Sequence, residues 1–274
     1  MAEIIAIANQ KGGVGKTTTA VNLAYAIAIL GNETLLIDMD PQGNATSGLG
    51  IDKSSYSPNI YNVLVELLPI EKTIKETPLK TLSVSGANSN LIGAEIELIN
   101  ALARESRLRG AVAAIQNRYK FIIIDCPPAL GLLTINALTA ADRVIIPIQG
   151  EYYAMEGLAQ FIDAINRVQQ SLNQKLSVEG GLLTMFDSRM TLSNQVKEEV
   201  FKFFGSAMFN TIIPRNIRLA EAPGFGQSIL QYDDKSKGAE AYIALAQEFL
   251  SRRNQINSEP DSEPAANKSM ESLT

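Results

Sequence analysis

The feature that most constrains this chain lies at its start. A short apolar run, Ile4-Ile5-Ala6-Ile7-Ala8, passes through Asn9-Gln10-Lys11-Gly12-Gly13-Val14-Gly15-Lys16-Thr17-Thr18 into a helix-like stretch that reaches Leu30. Glycines at 12, 13 and 15 allow backbone conformations closed to other residues, so successive N–H groups can converge on one oxyanion. The helix that follows adds its positive N-terminal end. Strand, glycine-rich turn and helix in that order make an anion-binding unit. An apolar strand that feeds directly into a helix belongs inside a parallel sheet.

The rest of the chain repeats this alternation. Thr34-Leu35-Leu36-Ile37 and Phe121-Ile122-Ile123-Ile124 are nearly all apolar, as strands covered on both faces are. Val144–Ile148, Gly181–Met185 and Thr211–Ile213 read as further strands. Amphipathic spacing predicts helices over Lys16–Leu30, Glu95–Gln116, Glu156–Leu172, Leu192–Phe204 and Lys237–Arg253. The expected fold is α/β, with a mostly parallel twisted sheet flanked by helices on both faces in three layers. Residues 1–254 are expected to form one domain, and 255–274, with a net charge of -3, a disordered acidic tail.

The expected second strand ends in Asp38-Met39-Asp40-Pro41-Gln42-Gly43, and the 121–124 strand ends in Asp125-Cys126-Pro127-Pro128. Both place carboxylates at the sheet edge where open α/β folds hold ligands. In this setting Lys16 reaches the β- and γ-phosphates of a nucleotide, Thr17 offers a hydroxyl to Mg²⁺, and Asp125 holds the metal. Cys126 reads as a small buried residue. The chain contains no histidine, which excludes a Ser-His-Asp triad and histidine-ligated metals. With one cysteine and no basic leader, the reading is of a cytoplasmic protein without disulfides. Its longest apolar stretch is too short to span a bilayer.

The loop departs from the strict Walker A pattern, which has glycine where Gln10 stands. It carries instead a second lysine, Lys11. In this it resembles the deviant Walker A loop of the ParA and MinD group of P-loop NTPases. Similarity to the chromosomal ParA or Soj branch extends through Glu151–Leu158, Thr184–Arg189 and Pro214–Pro223, although Gly150 stands where the family often has cysteine.

This resemblance implies an ATPase that uses ATP and Mg²⁺. The nucleotide is held by Lys11, Gly12, Gly13, Val14, Gly15, Lys16, Thr17 and Thr18, with Pro214 and Asn216 at the adenine. Lys11 reaches across a homodimer to the partner's nucleotide. Asp40 orients the attacking water, Asp38 supports the loop and the metal shell, and the metal set is Thr17, Asp125 and Asp38. Arg189 and Arg218 contact double-stranded DNA without reading its sequence, and a ParB or Spo0J-type centromere-binding protein triggers hydrolysis. The protein is then nucleoid-associated.

Charge is compatible with this reading but does not establish it. Residues 189–253 carry +2 and residues 1–188 carry -4. Arg215, Lys235, Lys237, Arg252 and Arg253 are further DNA-contact candidates. The alternative is a MinD-like ATPase acting at a membrane surface, which needs a basic amphipathic C-terminal helix. The C-terminal residues here are acidic and contain proline, so no membrane contact is expected.

Overall fold

The computed structural model describes residues 1–151 and 154–258. Seven strands form one sheet: β1 (Glu3–Ile7), β2 (Thr34–Asp38), β3 (Ile74–Glu76), β4 (Leu82–Ser85), β5 (Phe121–Asp125), β6 (Arg143–Gln149) and β7 (Ser177–Thr184). Their order is β3-β4-β2-β5-β1-β6-β7. All neighbours pair parallel except the short edge strand β3, which runs antiparallel to β4.

Alternation along each central strand divides the core in two. Ile4 and Ala6 of β1, Leu35 and Ile37 of β2, and Ile122 and Ile124 of β5 face one apolar cluster. Ile5 and Ile7, Leu36, and Phe121 and Ile123 face the other. Because both faces are covered, the strands read as continuous apolar runs rather than alternating ones. The Lys16–Ile29 and Lys237–Ser258 helices cover the second face, where Phe249 meets Phe121 edge-on at 5.5 Å between ring centroids. The Leu132–Ala140, Ala154–Ser171 and Thr191–Phe204 helices lie over the first.

Two expected elements differ. The helix predicted over Glu95–Gln116 is broken into Leu91–Glu97 and Arg107–Ala113, with Ala103 in a left-handed conformation (φ 54°) between them. Asn136 occupies the break: its Nδ2 donates to the Arg104 carbonyl at 2.7 Å, and its Oδ1 accepts from the Leu108 N–H at 3.2 Å. The side chain thus satisfies backbone groups that a continuous helix would have paired internally. The run Thr211-Ile212-Ile213 is not a named strand. The N–H groups of Asn210 and Thr211 donate to the Glu248 carboxylate, each at 2.8 Å, while further on the Ile213 N–H donates to the Leu183 carbonyl of β7 at 2.9 Å and Phe186 bridges to Pro214.

The final helix continues past Arg253 to Ser258, and the remainder of the expected tail lies outside the described residues. Among the described residues, no helix is long and apolar enough to cross a membrane.

Phe249 is fully buried. Phe249→Ala should therefore lower the unfolding free energy by about 3–5 kcal/mol through lost apolar burial and the cavity left behind. Urea denaturation of the two proteins measures this directly.

Candidate nucleotide site

The carboxyl ends of β1, β2, β5, β6 and β7 build the site. After β1 the chain is fixed by Asn9, whose Nδ2 donates to the Pro147 carbonyl at 2.7 Å and whose Oδ1 accepts from the Lys11 N–H at 3.0 Å. Gly13 and Gly15 then take positive φ values of 75° and 83°, which glycine adopts without strain. The Thr184 hydroxyl donates to the Val14 carbonyl at 2.8 Å, tying the loop to the end of β7. Gly15 caps the Lys16–Ile29 helix without a side-chain hydrogen bond, and no acidic residue stands in the first turn. The loop and the first helical turn therefore direct N–H groups toward an anion.

The two lysines of the loop have opposite surroundings. Lys16 is only 6% exposed and donates to the Lys11 carbonyl at 2.8 Å. Burial lowers its ammonium pKa, and the nearby Asp125 carboxylate opposes that shift. The Lys11 side chain is 35% exposed and its Nζ pairs with Glu151 Oε2 at 2.6 Å. One lysine is buried at its own loop, while the other is only partly covered and pairs with a surface carboxylate.

Three carboxylates close the opposite side. β2 and β5 are in step, with Asp38 beside Asp125. Asp38 is fully buried and both of its oxygens are engaged. Oδ1 accepts from the Asp40 N–H at 3.1 Å, and Oδ2 accepts from the Thr46 N–H at 2.8 Å and the Thr46 hydroxyl at 2.7 Å. Burial raises its pKa to about 6 against the pull of these donors. The Thr46 hydroxyl in turn accepts from the Ala87 N–H at 3.0 Å. Asp38 thereby fastens the loop that presents Asp40, whose Oδ1 accepts from the Gln42 N–H at 2.9 Å. Gly43 in that loop has φ 60°, and a Cβ there would stand 2.6 Å from the Ala87 carbonyl oxygen.

Asp125 is different. It is fully buried, and neither oxygen has a hydrogen-bond partner. Burial raises its pKa well above the ordinary value, Asp38 and Asp40 raise it further, and the Thr17 hydroxyl and Lys16 ammonium offset this only in part. A buried, unpartnered carboxylate beside a hydroxyl is an arrangement that suits a hard divalent cation. Among the described residues, no group of three or more acidic or cysteine side chains could hold a metal by itself. Mg²⁺ commonly keeps several waters and takes only one or two carboxylates from the protein. Cys126 is buried, and burial pushes its thiol pKa up, as befits a packing residue.

Beside the loop lies a cavity of about 370 Å³, lined in part by Gly15, Thr18, Met185, Pro214, Asn216 and Tyr242. Its volume and its mostly apolar walls suit a flat heterocyclic base. Asn216, which lines this cavity, also caps the Ile217–Glu221 helix, its Oδ1 accepting from the Leu219 N–H at 3.3 Å. Met185 forms the wall in a left-handed conformation, φ 49°, a strained backbone that sequence reading did not find.

Arg189 and Arg218 lie outside this cavity's lining, and each pairs with carboxylates of its own chain. The Arg189 side chain is 87% exposed and grips Asp187 through Nε at 2.8 Å and Nη2 at 2.6 Å, holding that carboxyl at about 2. Arg218 reaches Glu221 at 2.9 Å and Asp233 at 3.5 Å. Exposed pairs of this kind are weak and screened by salt, so both guanidiniums can exchange partners. Arg253, by contrast, is buried against Glu3 and Glu179, and Arg252 pairs with Glu248 at 2.8 Å, so neither is a free surface cation. Tyr152 and Tyr153 lie outside the described residues.

The raised pKa values carry a sign. Protons bind Asp38 and Asp125 more tightly in the folded chain than in the unfolded one, so this pair costs stability as pH rises through 6 and less as pH falls toward 4. Asp125→Asn should therefore stabilise the nucleotide-free protein. The gain should be largest near pH 8 and shrink toward pH 5, as thermal melts across that range would show.

Comparison with known proteins places this geometry among relatives. Residues 2–178 match the AAA domain family. The chain is 54% identical over 248 residues to the sporulation initiation inhibitor protein Soj of Bacillus subtilis, covering 90% of this chain and 98% of that one. It is 54% identical over 249 residues to the chromosome partitioning protein ParA of Myxococcus xanthus, covering 91% and 88%. Among solved structures, cobyrinic acid a,c-diamide synthase from Mycobacterium smegmatis with bound ADP and magnesium superposes with a TM-score of 0.81 at 36% identity, covering 93% and 96%. The cell division ATPase MinD of Pyrococcus furiosus, at 23% identity, 92% and 100% coverage and a TM-score of 0.77, shares the fold.

Proposed function

Because the chain belongs to the Soj/ParA family of partitioning ATPases, we propose that it hydrolyses ATP with Mg²⁺ at this edge and uses the nucleotide to switch between a monomer and a DNA-binding dimer. The triphosphate lies along residues 11–18. Lys16 neutralises the β- and γ-phosphates, and Thr17 and Asp125 hold Mg²⁺, with Asp38 supporting the metal shell through the loop it fastens. The adenine fills the cavity between Pro214 and Asn216. Asp40 orients the attacking water. The Mycobacterium smegmatis neighbour, solved with ADP and magnesium, supports the choice of ligands.

One observation carries the dimer reading. Lys16 is buried within the site, whereas Lys11, in the same loop, is partly exposed with its ammonium paired to the Glu151 carboxylate, itself half exposed. A second copy facing the same edge would bring its own Lys11 to this chain's γ-phosphate. A cation delivered in trans stabilises charge that develops in the transition state, so hydrolysis would depend on dimerisation. Duplication also doubles the basic surface around Arg189 and Arg218 for contact with DNA phosphates, and a ParB-type protein completes the cycle by triggering hydrolysis. The site of action is then the nucleoid.

Two experiments test this. Asp40→Ala should bind ATP, lose hydrolysis and accumulate as a dimer in sedimentation. An Asp40→Ala protein that stays monomeric in ATP would overturn the switch. Arg189→Glu should weaken duplex-DNA binding by about tenfold or more, with a smaller salt dependence and unchanged ATP affinity. Loss of both activities would make Arg189 structural.

A further inference from the structure

One polar contact stands in an otherwise apolar helix interface on the second face of the sheet. The Lys16–Ile29 helix brings Ala20, Leu23 and Ala24 to this cluster, and the Lys237–Ser258 helix packs on it with Leu245, Ala246 and Phe249. Apolar burial is non-directional, so it draws the helices together without fixing how one sits along the other. A buried hydrogen bond does fix this, because leaving either group unpaired costs its desolvation. The Tyr242 hydroxyl meets the Thr19 hydroxyl at 3.2 Å, and both residues are buried. Among the described residues this is the one hydrogen bond between the two helices.

The same contact lies behind the base cavity. Thr19 stands in the first turn of the helix begun by Lys16, where its N–H donates to the Gly15 carbonyl at 2.9 Å, and its neighbour Thr18 lines the cavity. Tyr242 lines the cavity as well. One turn earlier, a Cβ at Gly238 would stand 2.8 Å from Cγ of Leu219, another lining residue. Positions 238 and 242 share one helix face. The final helix therefore backs the cavity and, through one hydroxyl, the turn that carries Lys16 and Thr17. The following turn is held separately, by the Ile229 N–H donating to Asn22 Oδ1 at 2.7 Å, so the helix stays attached when the Tyr242 hydroxyl is removed.

We propose that Tyr242 and Thr19 are a positioning pair, which holds the first turn of the phosphate-loop helix at a fixed offset from the base cavity. An adenine seated in the cavity then brings its phosphates into line with Lys16 and Thr17. The inference rests on the adenine lying in that cavity. The Tyr242 ring is the wall and its hydroxyl is the tie, and neither hydroxyl has to touch the nucleotide. Small misplacement of a bound triphosphate slows the chemical step more than it weakens binding, so the pair should act on kcat rather than KM.

The test measures ATP hydrolysis with Mg²⁺ and urea denaturation for the full chain and four variants. Tyr242→Phe and Thr19→Val should each lower kcat about fivefold, the order of one net hydrogen bond, with KM within about twofold of wild type. Thr19→Ser, which keeps the hydroxyl, should retain the wild-type rate. Each single loss leaves a buried hydroxyl unpaired and lowers stability. The double variant Tyr242→Phe/Thr19→Val leaves none, so its stability should return toward wild type while kcat stays low. Recovery of kcat along with stability in the double variant would make the pair a packing feature only. A wild-type rate in Tyr242→Phe, or equal losses in Thr19→Ser and Thr19→Val, would also overturn the proposal. Nuclear Overhauser contacts from the adenine protons of bound ATP to the Met185 methyl of the wild-type chain test the cavity separately. Without them the cavity reading fails; with them, a failed kinetic test removes the positioning pair alone.

Discussion

Two buried carboxyl groups sit side by side in the middle of this protein, and much of the site is arranged around them. Asp38 and Asp125 end neighbouring strands in the same register, both fully buried. Burial drives both pKa values up; Asp38 raises that of Asp125 further, while donors from Thr46 and the Asp40 N–H pull against the rise at Asp38. Asp38 is satisfied internally by three donors, which makes it a structural fastening. Asp125 is left with none, which makes it the place where a cation lowers the energy most.

Around this pair the loops are fixed by single polar side chains rather than by secondary structure. Asn9 bolts the phosphate loop to the end of β6, Thr184 bolts it to β7, and Thr46 joins the Asp40 loop to the segment after β4. Such anchors leave backbone N–H groups pointed at one place while the sheet below remains rigid, and preorganised donors of this kind stabilise developing charge without reorganising. Lys16 lies inside the frame and Lys11 outside it. That separation is the basis for assigning one lysine to its own nucleotide and the other to a partner's.

Much of this was legible in the sequence because the central strands are covered on both faces. Ile4–Ala8, Thr34–Ile37 and Phe121–Ile124 read as interior parallel strands, and the glycine loop marked which of their ends would meet an anion. The residues singled out there, Lys11, Lys16, Thr17, Asp38, Asp40 and Asp125, do gather at one edge. What escaped depends on contacts between residues far apart in the chain. The break at Ala103 is stabilised by Asn136, and the start of the run at Thr211 is held by Glu248, 37 residues away. β3 and β4 were not anticipated, being only three and four residues long. Asp187 and Glu221 lie within three residues of Arg189 and Arg218, yet only the folded geometry shows that these side chains turn toward them and that Asp233 joins Arg218.

The central claim is that Lys11 acts on a nucleotide bound by another copy. Mixing Lys11→Ala with Lys16→Ala tests it most directly, since the first keeps its own phosphate lysine and the second can still supply Lys11. If Lys11 acts in trans, each variant alone is inactive, and the mixture regains ATP hydrolysis as mixed dimers form. If the mixture stays as inactive as its components while both variants remain folded and Lys11→Ala still binds ATP, Lys11 serves its own site and the account of the switch is wrong.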